Sequence, residues 1–347
     1  MSWTIVLFLL QDAVINGAMY ALLGLSLVLI FATTRVIWIP QGELVAFGAL
    51  TLATLEQGRS PDLVKFVVLL SFVAAALDAY RSRESLTARY LALLALRDVL
   101  APGVLLLVVK ATAPMRLGPY YYSLLSMAVV APISPLLYRI AIQPLAQASI
   151  LVLMIAAIGV HLSLVGLGLL FFGPEGMRAV PLADYRVFFA GLVFSGQSVA
   201  ILVVTAFTIV AVWLFFMRTS LGRALRASAI NRTGARLVGV SLPFTGRIAF
   251  GLAGIIGAVS GVLVAPTTTI YYDSGFMIGL KGFVAAIIGG MLSYPVTAAA
   301  AFLVAGVESF ASFTLSAYKE SIVFALLIPF LLWRSFQVRA VEEDDEE

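Results

Sequence analysis

The sequence contains no cysteine, a single histidine and few charged residues, and each shortage excludes a class of function. Without cysteine there is no disulfide scaffold, no thiol nucleophile and no thiolate metal site. The one histidine, His161, has no carboxylates nearby at metal-ligand spacing, so we expect it to hydrogen-bond within the protein and not to bind a metal. Charged residues make up 12% of the 347-residue chain, about half the fraction found in a soluble domain.

The sequence also lacks the motifs of nucleotide-binding and hydrolytic enzymes. No Gly-x-x-x-x-Gly-Lys-Ser/Thr phosphate loop occurs, so we expect any ATP and Mg to be bound by a partner and not by this chain. Neither a Gly-x-Ser-x-Gly elbow nor a His-Glu-x-x-His pair is present. These absences predict a protein that is not an enzyme and that holds no cofactor or metal of its own.

Apolar residues dominate what is present, at 62% of the chain and a mean hydropathy of +1.06. A helix needs roughly 20 apolar residues to cross the hydrocarbon layer of a membrane. The composition therefore predicts an all-α, polytopic transmembrane helical bundle of about 9–11 spans, forming one membrane domain over residues 1–336. The apolar segments lie at 4–34, 43–57, 63–79, 90–110, 119–142, 147–172, 191–217, 247–266, 276–293, 295–316 and 319–334.

Several of these segments are irregular. The segment 43–57 is short, 90–110 contains Arg97 and Asp98, and 276–293 is rich in glycine and could be re-entrant. Broken helices are tolerated at membrane depth only where they are buried in protein or line a cavity. We therefore expect broken or re-entrant helices around a translocation path, and a loop or kink at Arg97 and Asp98. The first segment lacks the features of a cleavable signal peptide, so we expect it to be retained as a span.

The distribution of lysine and arginine predicts the orientation. Residues 218–247, which we call the arginine loop, contain six arginines and no acidic residue. Cytoplasmic loops are enriched in these basic residues. We therefore expect the arginine loop and the C-terminus to face the cytoplasm, with 337–347 as an acidic, solvated tail. Because most basic residues lie in loops, where they set the orientation of the protein in the membrane, the net charge of +4 does not imply a nucleic-acid partner.

The arginine loop is too long for a simple turn. Residues 222–238 can form a short amphipathic helix with Leu221, Leu225 and Ala229 on one side, ending at Gly239, a favoured C-cap residue. One interpretation is a helix that lies on the anionic inner leaflet of the membrane. The other is a docking helix for a cytoplasmic protein, and composition alone favours neither.

The residue pattern of the loop favours the docking helix. It resembles the coupling segment of permeases in the branched-chain amino acid family of ABC importers, which opens with Arg-Thr-x-x-Gly-Arg-Ala-x-Arg-Ala. Residues 16–27, 39–44 and 279–290 resemble three further stretches of that family, in the same order. The resemblance implies that the loop fits a groove on an ATP-binding subunit. The coupling residues would be Arg218, Gly222, Arg223, Arg226, Ala227, Leu237 and Gly239.

The same resemblance implies partners and a cargo. A homologous second permease subunit, two cytoplasmic ATP-binding subunits and an extracytoplasmic solute-binding protein would complete a transporter in the bacterial inner membrane. The cargo would be a branched-chain amino acid or a related amino acid, amide or urea. The sequence departs from the family at Gln41, where histidine is usual, and 60–137 is long enough for two extra spans. These departures leave the solute and the number of spans open.

Polar residues within apolar segments are costly, so each needs a partner or a use. Small residues let helix backbones approach closely, and we place the translocation path where they cluster with polar ones. For Lys281 two readings stay open: a role in solute passage, or a structural role as a snorkelling residue or an ion pair with Glu308. The path residues are Asn16, Gly17, Gln41, Glu43, Lys281, Gly289 and Gly290.

The main alternative function is an ion-coupled secondary transporter or a channel that works without an ATPase. Broken helices suit such proteins equally well. Coupling to protons or sodium would call for carboxylates in the membrane, and Asp12 and Glu308 are the few candidates. The arginine loop favours the importer.

Overall fold

The structure, a computed structural model, describes residues 2–81, 83, 87–189, 191–333 and 335. The predicted acidic tail at 337–347 lies outside the described residues. Helices and one antiparallel hairpin make up the described fold. The elements are α1 (Trp3–Thr34), α2 (Gln41–Glu56), α3 (Leu63–Arg81), α4 (Ala88–Ala95), α5 (Ala101–Thr112), α6 (Pro119–Val130), α7 (Ile133–Leu137), α8 (Ile150–Phe172), β1 (Arg186–Phe189), β2 (Leu192–Ser195), α9 (Gly196–Arg218), α10 (Ser220–Ile230), α11 (Arg232–Leu237), α12 (Leu242–Val264), α13 (Ser274–Ile288), α14 (Tyr294–Thr314) and α15 (Lys319–Ala325).

Nine helical spans in the described part of the chain are long and apolar enough to cross a membrane. At 1.5 Å per residue, 18 residues reach about 27 Å, close to the hydrocarbon thickness. The predicted all-α polytopic bundle is therefore confirmed, and the count agrees with the lower bound predicted from the sequence. The spans are Trp3–Thr34, Leu63–Arg81, Ala88–Met115, Pro119–Leu145, Ile150–Phe172, Gly196–Arg218, Leu242–Val264, Tyr294–Thr314 and Ser316–Trp333.

The arginine loop identifies one face of the bundle. Helix α9 runs into the loop and α12 leaves it, so Arg218 and Leu242 lie on the same face, which we call the loop face. Helix α1 reaches this face at its C-terminal end, where Leu29 packs with Phe216 and Ala249. The chain before α1 and the connection between α12 and α13 lie on the opposite face.

Helix α2 is buried along its whole length in the centre of the bundle. It has 16 residues, about 24 Å, and so is too short to cross the hydrocarbon layer alone. It begins inside the bundle, because the Gln41 side-chain amide donates to the carbonyl oxygen of Ala253, near the middle of α12. The non-helical stretch 35–40 connects it to the end of α1. A broken helix is thus present where the short apolar segment predicted one.

Helix α13 is the second short helix, with 15 residues. The chain enters it through an irregular stretch in which Ile270 pairs with the backbone of Met177. It ends at Gly289, and the following Gly290 and Met291 adopt positive φ angles of 70° and 60°. The glycine-rich segment therefore forms a short helix that is not among the nine spans, and its re-entrant course stays a prediction.

The long region 60–137 contains two complete spans, Leu63–Arg81 and Ala88–Met115, before Pro119–Leu145 begins. Arg97 and Asp98 form no loop, so this part of the prediction is wrong, but they do lie at an irregularity of the helix. They lie in a π-helical segment, Leu96–Leu100, that joins α4 to α5 without a break. Within this segment Asp98 is buried against Arg139 of another span as well as against Arg97.

Candidate translocation path and arginine loop

The two short helices meet in backbone contact inside the bundle. A Cβ atom on Gly42 of α2 would lie 1.9 Å from the carbonyl oxygen of Gly275, and one on Gly279 would lie 3.0 Å from the Gly42 Cα. Only glycine permits so close an approach of two backbones. One turn further along α13, Gly282 packs against Leu23 of α1. Glycine spacing in α13 thus holds α1, α2 and α13 together.

Glu43 follows Gly42 and is completely buried in the first turn of α2. Its carboxylate Oε1 lies 2.9 Å from Nδ1 of His161 on α8, which makes an ion pair when the imidazole is protonated. The imidazole ring also packs on Phe276 of α13, with ring centroids 4.9 Å apart. The partial positive charge at the start of α2 favours a carboxylate there. Sequence spacing did not indicate this partnership, because 118 residues separate Glu43 from His161.

Lys281 of α13 takes part in a chain of polar contacts. Its Nζ atom lies 2.5 Å from Oε1 of Glu308 on α14 and 3.4 Å from Oε1 of Glu320 on α15. Tyr20 of α1 donates a hydrogen bond of 2.6 Å to the other carboxylate oxygen of Glu308. The ion pair that the sequence allowed as one reading of Lys281 is therefore present. The whole chain of polar contacts links α1, α13, α14 and α15.

A polar cavity of about 660 Å³ opens towards the face opposite the arginine loop. Two of the predicted path residues, Asn16 and Lys281, line this outer cavity together. Asp12 contributes a carboxylate, and Arg178 and Arg186 contribute cations from the segment that precedes and enters β1. Groups of both charges therefore surround the space.

A smaller cavity of about 240 Å³ lies on the other side of α13 and is lined mainly by apolar side chains. Gln41 and Trp38 line it, together with Phe276 and Leu280 of α13. Ile278 and Lys281 of the same helix line the outer cavity. Helix α13 is thus the wall between the two spaces.

The other predicted path residues lie away from both cavities. Gly17 packs on α14, where a Cβ atom would lie 2.5 Å from the Phe302 ring. Gly289 packs on Thr297 at the start of the same helix, and Gly290 provides the positive φ of the turn between α13 and α14. Gly17 and Gly289 thus serve close packing of helices, and Gly290 serves the turn.

The arginine loop contains two helices where the sequence predicted one. Asn231 interrupts the helix, and its side-chain oxygen accepts a hydrogen bond of 2.8 Å from the backbone N–H of Gly234. Asparagine is a preferred N-cap residue, so it ends α10 and starts α11. The predicted end of the helical region is correct: Gly239 has a φ of +87° and its N–H bonds to the carbonyl oxygen of Arg236.

The loop is anchored through Gly222, Leu225 and Ser228, which are buried. A Cβ atom on Gly222 would lie 2.3 Å from the carbonyl oxygen of Phe215 in α9. Of the three residues that we predicted on one side of the helix, Leu225 is buried, Ala229 is half-buried and Leu221 is exposed. The close return of α10 onto α9 selects the glycine side of the helix.

The opposite surface of the loop combines positive charge with exposed apolar side chains. Arg218, Arg223 and Arg226 are exposed, and Ala227 is half-buried. Ile230 and Leu237 are 85% and 84% exposed. A surface of this composition suits either a protein groove or a lipid headgroup layer.

Comparison with known proteins identifies the family. The profile of a family described as "Branched-chain amino acid transport system / permease component" matches residues 85–331, more than half of the chain. The chain belongs to this permease family. The match contains the arginine loop and α13, whereas α1 and α2 precede it.

Curated relatives of the permease family agree. The chain is 30% identical over 204 residues to the high-affinity branched-chain amino acid transport system permease protein BraD of Pseudomonas aeruginosa, an alignment that covers 56% of this chain and 66% of the relative. It is 31% identical over 205 residues to the permease protein LivH of Escherichia coli K12, covering 56% and 65%. The chain thus spans just under two thirds of the length of these relatives. No solved structure matches it significantly.

Membership of the permease family defines the general class of the protein. Its matched relatives are membrane components of transport systems and not enzymes. Together with the nine apolar spans among the described residues, this makes the chain a multi-pass inner-membrane protein. No group of three or more histidine or acidic side chains in the described part of the chain could hold a metal ion.

Proposed function

We propose that the chain is the permease subunit of an ABC importer, which passes a branched-chain amino acid or a related amino acid, amide or urea across the bacterial inner membrane. ATP and Mg are bound by partner subunits. The observation that carries this proposal is the arginine loop, an exposed helix pair that is anchored on the membrane helices.

The anchoring gives the loop a route for transmitting force. Leu225 of α10 is buried in a cluster with Leu29 of α1, Phe216 of α9 and Ala249 of α12. A partner that moved α10 would therefore displace three membrane helices at once, because packed interiors transmit strain. Arg223 and Arg226 point away from this cluster and are free to meet an ATP-binding subunit.

The outer cavity is the proposed entrance for the solute. A free amino acid carries one ammonium and one carboxylate group, and the cavity presents both Asp12 and cations such as Arg178. The solute would then pass α13. The contact of α13 with Gly42 of α2 closes the way to the apolar cavity. Movement of α13 is the proposed gate.

The remaining partners follow from the same proposal. A solute-binding protein would deliver cargo to the face opposite the arginine loop, where the β1–β2 hairpin and the stretch before α13 lie. A homologous permease subunit would complete the path, and two ATP-binding subunits would sit under the loops. The loop and the C-terminus would then be cytoplasmic.

The alternative of an ion-coupled carrier receives less support. Coupling needs a membrane carboxylate that can exchange its proton or ion during transport. Glu308 is paired with Lys281 and Tyr20, and Glu43 lies against His161. Both carboxylates therefore have structural partners, which leaves Asp12, at the outer cavity, as the remaining candidate for ion coupling.

Co-purification tests the importer against this alternative. The tagged full chain is extracted in mild detergent, co-purifying proteins are identified by mass spectrometry, and vanadate-sensitive ATPase activity is measured. We expect an ATPase with a phosphate-loop motif to accompany the chain. Recovery of the chain without any ATPase, combined with solute uptake driven by an ion gradient, would replace the proposal with the secondary transporter.

Competition in uptake assays tests the cargo separately. Cells that express the complete system take up labelled leucine, and unlabelled valine, short amides and urea are added in excess. We expect valine to compete most strongly. Competition by an amide or urea alone would keep the importer and change its solute.

A further inference from the structure

A charge cluster lies where the spans Leu63–Arg81, Ala88–Met115, Pro119–Leu145 and Leu242–Val264 meet. Arg139 lies at its centre, with its guanidinium 2.8 Å from carboxylate oxygens of both Asp78 and Asp98. Arg97 lies 2.6 Å from Asp98 and 3.7 Å from Asp78. Two further arginines approach Asp78, namely Arg81 at 3.7 Å and Arg247 at 3.5 Å.

The charge cluster carries more positive than negative charge. Four arginines face two aspartates among the described residues, which leaves a formal surplus of two positive charges. Arg139 binds both oxygens of Asp98 and one oxygen of Asp78, and it is almost fully buried with them. Arg97 also binds both oxygens of Asp98, and Arg247 lies 3.5 Å from Asp78, so four arginines share two carboxylates. The formal surplus of positive charge attracts an anion.

The surplus charge faces open space. A cavity of about 740 Å³ is lined by Arg97 and Arg247 at one end. Asp78 and Tyr90 also line it, and the remaining lining is apolar side chains of the span Ala88–Met115, including Leu93, Leu96 and Leu100, which are all exposed. The Arg97 side chain is 55% exposed, whereas that of Asp98 is 4% exposed. The cavity thus has two arginines and one largely buried aspartate in its lining, and the rest of its lining is mainly apolar.

The level of the cluster in the membrane matches the headgroup layer. Asp78 lies within one turn of the end of α3, and Arg247 lies in the second turn of α12, immediately after the arginine loop. Arg247 also donates a hydrogen bond of 3.0 Å to Gln143, which lies at the end of the span Pro119–Leu145. These helix ends share the loop face. Basic pockets between membrane helices on the cytoplasmic side are typical sites for anionic lipid headgroups.

We propose that this cavity binds one anionic phospholipid, with the headgroup phosphate between Arg97 and Arg247 and an acyl chain along Leu93, Leu96 and Leu100. Arginine forms strong bidentate hydrogen bonds with phosphate. The apolar side chains that line the cavity supply the surface that an acyl chain needs, which a free phosphate would not use. The lipid would connect the Ala88–Met115 span to α12 and neutralise the surplus charge.

The test measures lipid retention by the purified full chain. Native mass spectrometry follows binding of phosphatidylglycerol and of phosphatidylcholine with identical acyl chains, to the wild type and to Arg97→Gln. Arg89→Gln, in an exposed arginine about two turns earlier on the same span, is the control for general attraction of anions. Arg97→Lys retains the positive charge but lacks the guanidinium, so it separates the effect of charge from the effect of bidentate geometry.

We expect the wild type to retain phosphatidylglycerol in preference to phosphatidylcholine. Arg97→Gln should weaken phosphatidylglycerol binding roughly fivefold, as removal of one positive charge near a headgroup predicts, with Arg89→Gln unchanged and Arg97→Lys between Arg97→Gln and the wild type. Equal retention of the two lipids, or equal losses in Arg97→Gln and Arg89→Gln, would overturn the proposal. So would displacement of the bound lipid by millimolar inorganic phosphate, which would indicate a site for free anions.

Discussion

Gly42 and Gly275 bring the first turns of two short helices into backbone contact inside the bundle, where a Cβ atom on Gly42 would lie 1.9 Å from the carbonyl oxygen of Gly275. A backbone oxygen cannot rotate away as the end of a flexible side chain can. The contact therefore fixes the distance between α2 and α13, and with it the wall between the outer cavity and the apolar cavity.

Replacement of Gly42 by alanine should therefore force α2 and α13 apart. Overpacking in a tight core typically costs ~1–3 kcal/mol, and we expect the upper part of this range because the obstacle is backbone. The measurement is the thermal unfolding midpoint of the purified protein. Gly159→Ala is the control, since a Cβ atom there meets nothing within 4 Å. Equal midpoints for the two variants would contradict the contact.

The sequence was sufficient to predict features that depend on local pattern. Apolar length predicted the spans, and the short apolar segment and the glycine-rich segment predicted the irregular helices α2 and α13. The position of Gly239 predicted the end of the loop helices. Each of these signals is contained within about one helix length, and lipid solvent leaves few alternatives to helix.

Tertiary partners could not be predicted in this way. The Glu43 and His161 side chains meet across 118 residues, and Arg139 joins aspartates from two other spans. Nothing in residue spacing along one helix indicates which helix packs beside it. The break at Asn231 was locally visible, because asparagine favours the N-cap position over a helix interior.

The Lys281 and Glu308 pair can be tested by a double-mutant cycle. Lys281→Ala leaves Glu308 buried with Tyr20 as its partner, and breaking a buried pair in this way costs about 3–5 kcal/mol. Glu308→Ala should cost less, because Lys281 keeps Glu320 at 3.4 Å. The double variant should be more stable than the sum of the two losses predicts.

Thermal unfolding of the four proteins measures the coupling between the two residues. Lys110→Ala, in an exposed lysine of another span, controls for removal of a lysine from the membrane domain. Effects that add within about 0.5 kcal/mol would show that the pair is not coupled. Lys281 would then be left with its other two readings, a snorkelling residue or a role in solute passage.

The contact between His161 and Glu43 predicts an asymmetry between the two partners. His161→Leu leaves a fully buried carboxylate without its partner, whereas Glu43→Gln leaves a neutral imidazole beside an amide. An uncompensated buried charge is far more costly than a neutral polar group. We expect His161→Leu to lower the unfolding midpoint more than Glu43→Gln does, and the reverse order would argue against a charged Glu43.

The arginine loop gives the prediction that bears most directly on the proposed importer. Reversal of charge in Arg223→Glu/Arg226→Glu changes exposed side chains only, so the protein should reach the membrane in normal amounts. Binding of an ATP-binding subunit should be lost, because like charges brought together in an interface cost several kcal/mol. Co-purified ATPase and leucine uptake are measured together. Arg59→Glu/Arg116→Glu is the matched control, since both arginines are exposed on the opposite face.

Gly239→Ala should show a milder loss, because a non-glycine residue at its φ of +87° costs about 1–2 kcal/mol and tilts α11 without removing charge. Normal ATPase recovery with both loop variants would leave the loop as a helix that lies on the membrane surface, and the importer would need another docking site.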